Sequence, residues 1–337
     1  MSFDRGSGVA LLAGYTADLL LGDPRRWHPV AGFGRTAASV ERVAYAPSRL
    51  RGAVVVAILV ALPALAAELL ARAASRARQK ALGNRASHGD LGRNLALAAL
   101  TWVALGGRSL RREARGVCEL VQCGELERAR VALRALCGRD AAELDAEQLC
   151  RAAIESLAEN SSDAVVGALL WGAIAGPAGV AAYRAANTLD AMIGHRSERY
   201  TQYGWAAARL DDALGWPAAR ITAALACLAA PLVHGSPRTA LATARRDGPA
   251  HPSPNAGRVE AAFAGALGVS LGGPLAYDGR IDPRPRLGSG RTPRAEDVHR
   301  AARLSLAVSA AAAVACAAIR GVLVGATAPT TTAEHAR

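Results

Sequence analysis

Runs of apolar residues long enough to cross a bilayer constrain this chain more than anything else in it. Apolar stretches fall at about residues 8–21, 52–71, 94–107, 164–186, 213–235 and 301–325. A spanning helix needs ~20 apolar residues. That length is reached by 52–71, 164–186 and 301–325, and by 213–235 with Arg220 inside it. The runs at 8–21 and 94–107 are shorter, which leaves them open as tilted, re-entrant or buried helices. The pattern predicts an all-α, multi-pass helical membrane protein in a lipid bilayer, with amphipathic soluble helices and long polar loops. Aromatics make up 4% of the chain against 51% apolar residues. The apolar mass is therefore Ala, Leu and Val, which suits helices in close contact through small side chains.

A single membrane-embedded domain over 1–337 is expected, with polar segments set into it. Residues 108–163 read as an amphipathic helical insert, because Leu126, Ala129, Leu133 and Leu136 recur at helical spacing against Arg128, Arg130 and Arg134. Residues 236–300 read as a polar, loop-dominated insert rich in Pro, Gly and Arg, with one short helix near 258–267, and 326–337 as a disordered tail. Arginines in every connecting loop prevent the charge rule from orienting the bundle. If the polar segments after residues 21, 107, 186 and 235 face one side, some apolar runs must enter and return. Gly176-Pro177, in the middle of 164–186, is the expected turning point.

The net charge of +12 points towards an anionic partner or membrane surface, but all but one of the 40 basic residues are Arg, a ratio that looks compositional. A phosphate-loop or Schiff-base lysine could only be Lys80, and no GxxxxGK occurs, so a P-loop is excluded. Scattered arginines without an aromatic platform argue against nucleic acid as a partner. The cysteines Cys118, Cys123, Cys137, Cys150, Cys227 and Cys316 form no CxxC pair and are expected to be inert thiols. Asp18 interrupts the apolar run GVALLAGYTADLLLG, and no cleavage signal follows, so a cleaved leader is not expected.

Polar groups that could carry chemistry cluster in a few segments. In CRAAIESLAENSSD, Glu155, Glu159 and Asp163 stand at i, i+4, i+8, stacking like charges on one helix face. Either Mg²⁺ or arginines offset that repulsion, or the glutamates are solvated and Asp163 caps the next helix. In YRAANTLDAMIGHRSERYTQYGWAAARLDD, Asn187 and Asp190 share a helix face, as do Arg209 and Asp212, with Asp211, His195, Arg196, Arg199 and Tyr200 beside them. Carboxylates beside arginines suit a metal–phosphate site, and equally suit salt bridges anchoring helix ends. The segment ADLLLGDPRRWHPVAGFGR places Asp18, Asp23, His28 and Arg35 around a turn, and HPSPNAG repeats the His-Pro step with His251, Ser253 and Asn255. The glycines of GALGVSLGGPLAYDG would let backbone amides approach an anion.

These motifs, GDPRRWHPV, ESLAENSSD, YRAANTLDAMIGH, GWAAARLDD with PAAR, HPSPNAG and LGGPLAYDG, resemble in order and spacing the adenosylcobinamide-phosphate synthase family, the CobD/CbiB proteins of cobalamin biosynthesis. The resemblance covers about residues 11–280; Arg258 stands where an aromatic is usual and Phe263 where Met is common. It implies a multi-pass protein of the cell inner membrane, its site facing the cytoplasm, that joins adenosylcobyric acid to (R)-1-amino-2-propanol O-phosphate or aminopropanol. Amide formation from a carboxylate and an amine needs activation, so ATP and Mg²⁺ are the implied cofactors, with an acyl phosphate between.

On that resemblance, Glu159, Asp163, Asp190, Asp211 and Asp212 are expected to hold Mg²⁺. Arg35, Arg196, Arg209, Asn187, Ser253 and Asn255 would bind cofactor phosphate, and His28, His251, Glu155 and Asp190 would act as catalytic groups. Other enzymes of the pathway, or further copies of the chain, are the expected protein partners. The competing reading is a corrinoid or other small-molecule transporter, since broken apolar segments and Asp18 also describe a substrate path. A scaffold for pathway enzymes is third.

Overall fold

The structure is a computed structural model describing residues 5–24, 28–82, 90–138, 141–195, 197–273, 275–277, 280–282 and 284–327. It is almost entirely helical: α1 (Arg5–Leu21), α2 (Pro29–Ala44), α3 (Arg49–Leu82), α4 (Leu91–Ala104), α5 (Gly107–Gln122), α6 (Leu126–Leu133), α7 (Ala146–Asn160), α8 (Gly167–Leu189), α9 (Tyr200–Tyr203), α10 (Trp205–Ala229), α11 (Pro237–Arg246), α12 (Ala256–Leu267) and α13 (Ala295–Thr327). One π-helical segment, Ser161–Val166, links α7 to α8, and another, Asp190–Gly194, follows α8. Four helical stretches are long and apolar enough to cross a bilayer: Arg49–Lys80, Ala146–Gly194, Trp205–Val233 and Ala295–Ala326. Each covers a long apolar run of the sequence.

The stretch from 146 to 194 is not a straight rod. Gly176 has φ 63° and ψ −143°, a conformation open to glycine, and Pro177 then starts the next limb where its missing N–H costs nothing. In a continuous helix Gly167 and Tyr183 would stand about 24 Å apart. Instead a Cβ on Gly167 would overlap the Tyr183 ring, and one on Gly172 would lie 2.9 Å from Val180 Cγ2. The chain thus enters and returns as a helical hairpin, as the Gly-Pro step predicts. The Arg320 guanidinium, carried by α13, donates to Ala173 O at 3.3 Å and satisfies a carbonyl at the broken end of the first limb.

The α7–α8 hairpin is the centre of the bundle. The first limb is enclosed, with Leu149, Ile154, Leu157, Val165, Val166 and Leu169 fully buried. By contrast α3 exposes Val54, Ile58, Leu62, Leu65 and Leu69, and α13 exposes Val314, Ile319, Val322 and Leu323, as helices facing lipid do. Small residues set the close crossings: a Cβ on Gly14 of α1 would meet Ala98 O of α4 at 2.6 Å, and one on Gly92 of α4 would meet Ala74 O of α3 at 2.6 Å. The short apolar helices α1 and α4 therefore pack on each other and on the longer ones. Asp18 is fully buried under the start of α5, where the Arg108 amide donates to Oδ2 at 3.3 Å.

The two polar segments take a definite form. Within the 108–163 segment α7 is enclosed, every residue from Leu149 to Ala158 except Arg151 being buried, whereas α5 and α6 bury one face. The segment 236–300 is not loop-dominated in its first half, because α11 precedes α12 and Ser236 caps α11 by accepting from Thr239 N at 3.4 Å. Its second half forms two short antiparallel ladders, β1 (Leu271–Gly272) with β4 (Arg286–Leu287) and β2 (Leu275–Tyr277) with β3 (Arg280–Asp282). Fully buried Asp297 accepts from Arg291 at 2.6 Å and Arg300 at 2.8 Å, which ties that loop to the start of α13. The 326–337 tail lies, from residue 328 on, outside the described residues.

Candidate functional site

The hairpin decides which carboxylates meet. Asp163 and Asp190 are almost equidistant in sequence from Gly176, so folding the limbs together sets them at the same level, ~20 Å from the tip. Helix α10 then brings Asp211 and Asp212 alongside. The charges of Asp211, Glu159 and Asp190 all act on Asp163, and those of Asp212 and Glu159 act on Asp190. Asn187, on the returning limb, donates to Asp211 Oδ1 at 3.3 Å and accepts from Arg184 Nη1 at 3.1 Å. Arg209 pairs with Asp212 at 3.4 Å and is itself exposed.

π-Helical backbone surrounds the acidic cluster on both limbs. A continuous α-helix would stack Glu155, Glu159 and Asp163 in one row. The wider π turn at 161–166 changes the angular step along this limb, and Asp163 within it is near Asp211 and Asp190 as well as Glu159. Asp163 consequently lies within a helical segment and caps nothing. At the second π turn the Asp190 carboxylate rests against Gly194, where any Cβ would collide with it.

Glu155 faces elsewhere. It is buried and accepts the Gly272 amide at 2.7 Å, with Arg151 at 4.0 Å. The glycine-rich loop does bring a backbone amide to an anion, and the anion is this side chain. That contact makes Glu155 a strut between α7 and β1. Glu155 and Glu159 also line a recess of 210 Å³ together with Glu260 and Arg284.

The HPSPNAG loop reaches the same place from the other side. Asn255 Nδ2 donates to Asp212 O at 2.9 Å, and Arg220 Nη1 donates to Asn255 Oδ1 at 2.8 Å. Ser253 Oγ accepts from Ala256 N at 3.1 Å, at the start of α12, and buried His251 accepts from Ser253 N at 3.1 Å through Nδ1. His28 is the cap of α2, its Nδ1 taking Val30 N at 3.2 Å, and Arg35 is exposed about two turns on. Gly34 faces Met192 of the second π segment, a Cβ there lying 3.8 Å from Sδ, so α2 borders the acidic cluster. Arg196 lies outside the described residues.

Two functional-looking residues escape the sequence reading. Arg184 is near the charges of Asp23 and Asp163, and the buried Tyr183 hydroxyl is near Asp163, Asp211 and Arg184. The spacing Arg184, Asn187, Thr188 at i, i+3, i+4 could have revealed Arg184, since it places that residue on the face of Asn187. Nothing local marks Tyr183, which reads as core.

The sequence that builds this site matches a known family. The sequence pattern described as CobD/Cbib protein matches residues 11–305. The chain belongs to the CobD/Cbib family. A cobalamin biosynthesis protein CobD of Mycobacterium tuberculosis (strain ATCC 25618 / H37Rv) is 49% identical over 306 residues, covering 91% of this chain and 93% of that protein. Its counterpart in Chromobacterium violaceum is 44% identical over 296 residues, covering 85% and 88%. That of Geobacter metallireducens is 39% identical over 287 residues, covering 84% and 86%. No solved structure matches the chain. Membership in this CobD/Cbib family supports a role in cobalamin biosynthesis, and with it a corrinoid-related substrate.

The donor set bears on what this CobD/Cbib site can hold. Among the described residues, no three His, Cys, Asp or Glu side chains converge as a ready ligand sphere, so the five-carboxylate metal set is not a preformed cage. Asp163, Asp190 and Asp211 also have no cationic side chain at ion-pair distance among the described residues. Hard oxygen donors near each other but uncompensated fit Mg²⁺ held by one or two carboxylates, with phosphate and water completing it. None of the cysteines is in a disulfide, and burial pushes the Cys118 thiol on α5 up to about 11, away from thiolate chemistry.

Proposed function

We propose that this protein is an acid–amine ligase of the cell inner membrane, its site open to the cytoplasm, that condenses adenosylcobyric acid with (R)-1-amino-2-propanol O-phosphate, or with aminopropanol, to give the amide. The observation that carries this reading is the approach of Asp163, Asp190, Asp211 and Asp212 to within range of one another's charge, beside Asn187 and Arg184. When bound, ATP would activate the corrinoid carboxylate and Mg²⁺ would neutralise phosphate charge.

The protein's own contribution is placement. Two of the carboxylates, with Asp163 and Asp190 best situated on facing limbs, would hold the cation. Asn187 orients Asp211 and the Arg184 guanidinium at once. Asn255 fixes the α10 backbone at Asp212, which keeps the carboxylates from drifting apart under mutual repulsion. Bringing phosphate and amine together at one end of a rigid hairpin lowers the entropic barrier to their reaction with a bulky carboxylate. With Nδ1 accepting from Ser253 N, the neutral His251 ring carries its hydrogen on Nε2, so it would take the amine's proton there only as the other tautomer, in which Nδ1–H donates to Ser253 O 3.4 Å away.

The test is to incubate membranes containing the protein with cobyric acid, aminopropanol phosphate and MgATP and to look for the condensed product by mass. A product equal to the two substrates less water, dependent on ATP and Mg²⁺, is expected. The broken α8 hairpin also suits a transporter. Corrinoid uptake into sealed vesicles, with no amide formed under any condition, would replace the ligase reading with that one.

A further inference from the structure

Arg184 stands in an unusual position for a cation. Its Nε is buried and has no hydrogen-bond partner. No carboxylate among the described residues lies within ion-pair distance of it, although the charges of Asp23 and Asp163 are near enough to act on it. Among the described residues its guanidinium makes one hydrogen bond, from Nη1 to Asn187 Oδ1, which leaves the rest of the fork unused. Beside it the Tyr183 hydroxyl is 1% exposed at the residue level and likewise has no partner. Gly167 leaves just enough room for that ring on the opposite limb.

Buried donors left unpaired are costly, and folded proteins rarely leave two adjacent ones that way without a group to fill the gap. The Arg184 Nε–H can only donate and the Tyr183 hydroxyl can donate as well, so one acceptor would satisfy both. A neutral acceptor would leave the guanidinium charge uncompensated; an oxyanion satisfies charge and hydrogen bonds together, and the planar fork of arginine suits phosphate oxygens. The other arginines expected at the site are worse placed, since Arg209 is exposed and paired with Asp212, and Arg35 is exposed on α2.

We propose that Arg184 and Tyr183 form the receptor for a phosphate group at this site, Arg184 through Nε and its free fork and Tyr183 through its hydroxyl. The receptor adjoins the acidic cluster, so a phosphate seated there can share a cation with Asp163 or Asp211. Asn187 sets the orientation by bridging Arg184 to Asp211. The proposal rests on the site reading above and adds which side chains take the phosphate.

The experiment titrates purified protein in detergent with inorganic phosphate in the presence of Mg²⁺, following calorimetric heat, and needs no turnover. The variants are Arg184→Gln, Arg184→Lys and Tyr183→Phe, with Arg112→Gln, an exposed arginine paired with Glu113, as the control for lost charge. Expected are at least tenfold weaker binding for Arg184→Gln, a smaller loss for Arg184→Lys, a several-fold loss for Tyr183→Phe, and no change for Arg112→Gln. Thermal unfolding of each variant separates lost binding from lost fold. If Arg184→Gln does not fold, Arg184→Lys and Tyr183→Phe decide. Wild-type affinity in the folded Arg184 and Tyr183 variants, or no phosphate binding by the wild type, overturns the proposal. Binding that depends on Arg184 in a protein that forms no amide would sink the ligase reading and leave this one standing.

Discussion

Gly167 lies against the ring of Tyr183 across the Gly176 turn, with no room for a Cβ between them. This contact holds the two limbs of the hairpin together at the level just inside the acidic cluster, so the site depends on the absence of a side chain on the first limb.

Gly167→Ala should therefore force the limbs apart. Overpacking of this kind costs about 1–3 kcal/mol, and the expected result is a lower unfolding temperature in detergent together with lost activity. A variant as stable and active as the parent would show that the limbs do not pair as described.

Neutralising the acidic cluster should separate stability from function. Asp163→Asn, Asp190→Asn and Asp211→Asn each remove one of several mutually repelling charges, so without metal these variants should unfold at the same or a higher temperature than the parent. Their amide-forming activity should fall by at least the ~10–100-fold that loss of a supporting metal contact costs. Mg²⁺ should stabilise the parent, by ~2.7 kcal/mol at a hundred times its dissociation constant, and the variants less. Thermal scans in EDTA and in MgCl₂ measure both, and equal Mg²⁺ stabilisation in all of them would remove the cation from this cluster.

Glu155 should behave as a strut. Glu155→Gln keeps an oxygen to accept the Gly272 amide and should retain most of its activity, whereas Glu155→Ala leaves that amide unpaired and should destabilise by about 1–3 kcal/mol. Activity lost in Glu155→Gln at unchanged stability would restore it as a catalytic group.

Acid sensitivity should appear outside the bilayer as well. At the end of α11 the Asp247 carboxylate takes Arg246 at 2.6 Å and the Gly288 amide at 2.7 Å. The Arg246 hydrogen bond holds its pKa below the ordinary value of 3.8, burial opposes, and the Gly288 amide adds to the lowering. A lowered folded-state value means that the stabilisation is fully present above the unfolded value and disappears as the pH falls through the folded one, below about 4. Asp247→Asn should flatten that part of the stability profile measured from pH 6 to pH 3; an unchanged acid limb would show that the pair contributes nothing.

The sequence by itself determined the class of fold, because long Ala-, Leu- and Val-rich runs have few alternatives to helices in lipid. It also marked the reversal at Gly176-Pro177, since glycine and proline act through local backbone geometry. Asp163, Asp190, Asp211, Asp212 and Asn255 could be picked out as polar side chains bordering apolar runs, and their family pattern gave them a context. What only the tertiary structure decided was which of them face one another. The π turn at 161–166 is invisible to a 3.6-residue pattern, and so was the division of labour around it, in which Glu155 takes the Gly272 amide as a strut and Asp163 joins the cluster. Arg184 and Tyr183 gained their place from the opposite limb and from α10. Pairing between segments far apart in the chain leaves no local periodicity from which it could be read.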